Sequence, residues 1–114
     1  MNLSDFMIGA KALIEDESSW TTRWFARDAD GVAVRSMDDK AVCFCSLGAI
    51  ERFAGWELGC DPLINGRNLT QDAQELLTTV MGGLLVEEYN DAHTHKEVMA
   101  MWDEAIEVAK QAEA

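Results

Sequence analysis

The 114-residue chain has one proline, three cysteines and only nine basic side chains, against twenty-one acidic ones. One proline and eight glycines argue against a disordered or low-complexity segment, and no internal repeat is visible. No apolar run approaches the roughly 18–20 residues needed to cross a bilayer. The opening stretch, MNLSDFMIGAK, has no basic region and carries Asp5, so it is not expected to be an export signal. Three cysteines are an odd number without a disulfide spacing pattern, which fits a reducing compartment. A cytoplasmic protein is expected.

The shortage of bases is the extreme feature, with a net charge of −12. Residues 1–57 hold ten acids and six bases, a net −4, and residues 58–114 hold eleven and three, a net −8. Such a surface repels phosphates, so neither direct nucleic-acid binding nor membrane binding is expected. Two uses of the charge are left. It keeps the protein soluble, or it engages a basic protein partner, such as a nucleic-acid-binding groove occupied in place of its phosphates.

An apolar content of 48% can fill one core, so residues 1–114 are expected to form a single compact domain. Ser4 is placed to cap a first helix, with Phe6, Ala10, Leu13 and Ile14 on its buried stripe. Thr21 to Arg27 and Val32 to Arg35 flank Asp28-Ala29-Asp30-Gly31 and predict a small β-hairpin over about 21–35. Asp28-x-Asp30-Gly31 has some likeness to a calcium loop but lacks the closing glutamate, and it reads as a turn. Ser36-Met37-Asp38-Asp39 resembles a capping box and opens an apolar stretch that predicts a buried central helix over about 37–54. A loop of about fourteen residues follows, long enough to be a candidate interaction segment. Thr70 is placed to cap a third helix that stops at Gly82-Gly83, and LLVEEYND is readable as helix or as extended chain. Thr94-His95-Lys96-Glu97 is a capping box opening a final helix. The expected fold is mainly α, about four helices around the central one, with the hairpin alongside.

Cys43, Cys45, His93 and His95 could supply four zinc ligands. On a helix, however, residues two apart point about 160–200° away from each other, so the two cysteines could not share one ion. Cys45 could be a nucleophile, with a His and an Asp available in NDAHTH. A mid-helix position and the remoteness of Arg52 argue instead for a packed thiol beside Gly48. Asn90 and Asp91 read as turn formers ahead of the Thr94 cap. Trp102 lies on the buried face of the last helix, while Trp20, Trp24 and Trp56 sit at loops, where aromatics either anchor partners or close a core edge.

WFARDADG, AVCFCSLGAI and YNDAHTHKEVMAMWDEAI, in that order, resemble a family of small phage, prophage and bacterial proteins with no established activity. The resemblance spans about residues 4–110 and falls on Ala26, Arg27, Asp28, Gly31, Cys45, Gly48, Ala49, Asn90 and Asp91. It implies a phage-associated setting and no mechanism.

The expected function is therefore a non-enzymatic, acidic protein-binding module, in a phage setting an inhibitor of a host defence complex. Its candidate partner-binding residues are Glu87, Glu88, Asp103, Glu104, Glu107 and Trp56. A small enzyme using Cys45 or His93/His95, and an oligomeric structural module, are the alternatives. No catalytic residue, metal or cofactor is assigned.

Overall fold

Asn2, not Ser4, starts the first helix, because its Oδ1 accepts the backbone N–H of Asp5 and so satisfies a donor that the helix leaves open. Helix α1 is Leu3–Ala12. Ser4 is buried, and its N–H and Oγ both donate to the Glu113 carboxylate, at 2.9 and 2.6 Å, joining the two ends of the chain. The computed structural model describes residues 1–55 and 68–114. Trp56, Cys60 and the greater part of the long loop lie outside the described residues.

The hairpin forms as expected, with β1 (Ala26–Arg27) antiparallel to β2 (Ala33–Val34). Its turn is held by Asp28, whose Oδ1 accepts from the N–H groups of Asp30 and Val32, both at 2.9 Å. That carboxylate is a turn former. Arg27 ties the hairpin together, donating to Thr21 Oγ1 and to the carbonyls of Gly31 and Thr22.

The central helix begins nine residues later than the sequence suggests. Cys43–Phe44 is a third strand, β3, paired with Ala26–Arg27, and the sheet order is β2-β1-β3. Helix α2 is Ser46–Ala54 and follows directly. An apolar run of this kind suits a buried helix and a buried strand equally, and pairing with β1 decides for the strand. Ser36, read as a helix cap, instead donates to the buried Glu51 carboxylate at 2.8 Å. The chain between β2 and β3 is fastened by Arg52 Nη1, which donates to the carbonyls of Ser36 and Asp38. The helix is nonetheless buried as expected, from Ser46 through Glu51.

Asn68, not Thr70, caps helix α3 (Leu69–Val80). LLVEEYND resolves into helix α4 (Val86–Ala92), and the Thr94–Glu97 capping box opens helix α5 (His95–Glu113) as expected. The protein is mainly α with a small sheet. Helix α1 packs on α2 and α5, and α3 lies against α5. Trp102, Phe6, Met7, Ile14, Ile50 and Leu77 form the centre of the core. Among the described residues no helix is long and apolar enough to cross a membrane.

Candidate functional site

Asn90 sits at the junction of four segments and is fully buried. Its Oδ1 accepts from Trp20 Nε1 at 2.9 Å, from the Ser46 N–H at 3.0 Å and from Ser46 Oγ at 2.9 Å. Its Nδ2 donates to the Thr21 carbonyl at 3.1 Å and to Asp91 Oδ1 at 3.3 Å. Ser46 Oγ in turn accepts from Trp102 Nε1 at 3.1 Å. The amide thus joins α4 to the start of α2, to α5 and to the chain leading into β1. The sequence suggests a local turn-forming role for Asn90 and Asp91. The observed partners are up to 70 residues away, which no local pattern can reveal.

Cys45 is the N-cap of α2, not a mid-helix residue, and its Sγ accepts the Gly48 N–H at 3.4 Å. A helix N-terminus favours thiolate, yet burial prevails and pushes the thiol from its ordinary 9.0 up to about 11, outweighing the Gly48 and Leu47 N–H groups. The thiol is therefore protonated at neutral pH and a poor nucleophile. The unfolded chain loses this proton first, near 9.0, so the thiol's contribution to stability is whole below that pH and vanishes as pH rises toward 11. The gap converts to roughly 3 kcal/mol. Urea unfolding between pH 8 and 11 is expected to show a steeper alkaline loss for the native protein than for Cys45→Ala.

Cys43 and Cys45 share extended backbone, so the helical reason for separating them does not apply. Cys43 Sγ instead lies 3.9 Å from the Arg27 carbonyl. His93 Nδ1–H donates to the Tyr89 carbonyl at 2.9 Å, and its ring stacks on Tyr89. His95 Nε2–H donates to the Ile14 carbonyl at 2.7 Å, fastening the start of α5 to the end of α1. The histidines thus bond to carbonyls of different segments, and no group of three or more His, Cys, Asp or Glu gathers among the described residues.

The acidic candidates are brought only partly together. Asp103, Glu104 and Glu107 are exposed on α5. Asp103 is paired with Lys11 Nζ at 2.8 Å, a contact that raises the lysine pKa. Glu107 accepts from Gln111. Glu104 looks toward α4, where burial first, then the charges of Glu97 and Glu104, push Tyr89 up. Glu87 and Glu88 occupy the first turn of α4, Glu88 exposed and Glu87 half-buried.

A site absent from these candidates lies at the open end of the hairpin. Arg23 has a φ of +73°, the left-handed region that few non-glycine residues enter. Asp91 Oδ1 accepts the Arg23 N–H at 2.8 Å and holds it there. Just beyond, Phe25 O accepts the Cys45 N–H at 3.2 Å. Trp24 is 53% exposed and Phe25 43% exposed. These side chains line a groove of about 690 Å³, faced by Val34 and Arg35 and by the buried Ser36–Glu51 pair. In a regular strand one of two adjacent aromatics would turn inward. Trp24 and Phe25 lie in the bend ahead of β1, outside the pleated strand, so that alternation does not govern them. Adjacent aromatics beside an arginine were the available signal.

Residues 1–108 match the model of a family described as a family of unknown function (DUF6197). No curated protein and no solved structure matches the chain.

Proposed function

The chain belongs to this family, which passes no activity on to it, and we propose from its own geometry that it is a non-enzymatic protein-binding module. The observation that carries this reading is the outward presentation of Trp24 and Phe25 beside Arg23, on backbone fixed by Asp91 and Cys45. Tryptophan and arginine dominate interface hot spots, and a fixed backbone lowers the ordering cost of binding. The interior groups capable of chemistry are engaged in framework bonds: the Cys45 thiol with Gly48, and both imidazoles with carbonyls.

The charge of −12 acts at longer range, steering the encounter toward a basic partner in a salt-sensitive way. In the phage setting that the resemblance implies, a host defence complex with a basic groove is a fitting target, and inhibition by occupying that groove is the proposed outcome.

Capture of partners from host extract by the tagged protein tests the reading. Trp24→Ala is expected to lower recovery tenfold or more while leaving the melting temperature in place, because Trp24 is largely outside the core. Unchanged recovery with Trp24→Ala, combined with loss in a Glu104→Gln/Glu107→Gln variant, would move the contact to α5 and refute the groove.

A further inference from the structure

We infer that the groove receives an extended segment of a partner protein, added as a strand to the outer edge of β2 and carrying an apolar side chain next to a carboxylate. The inference rests on the binding-module reading and names the occupant of the same site.

The sheet order leaves β2 and β3 as edges. The outer side of β3 is met by Trp20, which bridges Phe44, and by the Thr21 N–H, which donates to the Phe44 carbonyl at 2.9 Å. No described segment pairs with the outer side of β2. Which β2 groups face outward follows from the ladder. Asp28 N–H donates to the Val32 carbonyl, and pairing is Ala26 with Val34 and Arg27 with Ala33. Bonded and non-bonded pairs alternate in an antiparallel ladder, so Asp28–Val32 and Ala26–Val34 are bonded and Arg27–Ala33 is not. The other face of β1 agrees, since Phe25 bonds Cys45 across the β3 side. Ala33 therefore turns its N–H and C=O away from β1, and Ala33 is exposed. An open edge with outward main-chain groups pairs with extended chain.

An edge of two residues offers too few main-chain bonds to hold a partner alone. The groove beside it supplies the rest, through the exposed aromatic surfaces of Trp24 and Phe25 and the charge of Arg23. Among the described residues no carboxylate lies within ion-pairing distance of the Arg23 guanidinium, although the protein carries 21 acidic residues. The Arg23 guanidinium thus selects a carboxylate, while the −12 of the whole repels a polyanion such as a nucleic acid. One carboxylate beside an apolar anchor is the chemistry that satisfies both.

The test titrates the ¹⁵N-labelled protein with a blocked seven-residue strand-forming peptide that has a central phenylalanine flanked by one glutamate. A matched peptide with lysine in place of glutamate is the control. The acidic peptide is expected to shift the Ala33 amide saturably, to slow its hydrogen exchange severalfold, and to bind at least tenfold more tightly than the lysine peptide. Arg23→Asn, whose side chain tolerates the left-handed backbone, is expected to erase that preference while leaving weak binding through the aromatics. Equal binding of the two peptides, or unchanged Ala33 exchange in the complex, overturns the inference. Concentration-dependent shifts at Ala33 without peptide also overturn it, since the occupant is then a second copy of the chain. If Trp24→Ala abolishes partner capture yet the acidic peptide leaves Ala33 unprotected, strand addition is wrong and the module stands. If Trp24→Ala captures normally, the groove is not the contact surface, and the reading on which the inference rests has failed.

Discussion

Asn90→Ala is expected to lower the unfolding free energy by about 3–5 kcal/mol, read from the shift of the urea midpoint. The amide is an acceptor for three donors and a donor to two acceptors, and it is fully buried. Alanine leaves the Trp20 indole N–H and the Ser46 N–H without an acceptor, and the Thr21 carbonyl without that donor. An unsatisfied buried group costs about 1–3 kcal/mol, and the Ser46 hydroxyl can reorient to recover only part of the loss. Against a total stability of about 5–15 kcal/mol for a domain of this kind, the change is large. Asn90→Asp keeps the acceptor but gives up donation to Thr21 and buries a charge, so it is expected to be no milder. A double-mutant cycle separates this role from a binding role. Asn90→Ala combined with Trp20→Phe is expected to cost clearly less than the sum of the two singles, because the second change removes a donor that the first has already orphaned. A residue kept for contact with a ligand would leave the midpoint in place.

The same network shows what could and could not be read in the chain. The Thr94–Glu97 capping box and the Asp28–Gly31 turn were legible because each is local, with donor and acceptor within four residues. The central helix was legible as a buried element, and its start was not. Residues 37–45 carry an apolar run that fits helix and strand alike, and pairing of Cys43 with Arg27, sixteen residues away, settles it. The apparent Ser36 cap failed for the same reason, since its true acceptor, Glu51, is fifteen residues distant. Asn90 and Asp91 were visible as notable residues, but their partners lie around positions 20–23 and 46. The groove was missed because it is lined by residues 23–25, 33–36 and 51, and the left-handed backbone of Arg23 at its edge is held by a carboxylate on α4. The acidic candidates came from composition alone, and the fold divides them between two helices and gives one of them to Lys11.

Gly48→Ala is expected to be the most damaging alanine substitution among the described glycines and to remove binding along with stability. A Cβ on Gly48 would lie 1.8 Å from the Phe25 carbonyl oxygen, far inside any tolerated contact, and the obstructing atom is backbone. The absence of a side chain at Gly48 lets α2 sit against the chain entering β1. Alanine is the better helix former by about 1 kcal/mol, so the sign depends on the clash. Overpacking in a tight interior costs about 1–3 kcal/mol or more, and here relief requires Phe25 to move, breaking its bond from the Cys45 N–H. The net expectation is a loss of about 2–4 kcal/mol in urea unfolding. Gly31→Ala is the matched control. Gly31 has a φ of +80° with nothing near its Cβ position, so the strain there is conformational only, about 1 kcal/mol. The two variants differ in kind as well as size. Displacing Phe25 re-aims Trp24 and the groove, so Gly48→Ala is expected to lose partner capture even at temperatures where it is fully folded, whereas Gly31→Ala keeps it. Equal effects of the two on stability, or normal capture by folded Gly48→Ala, would show that the contact between α2 and Phe25 does not set the geometry of the groove.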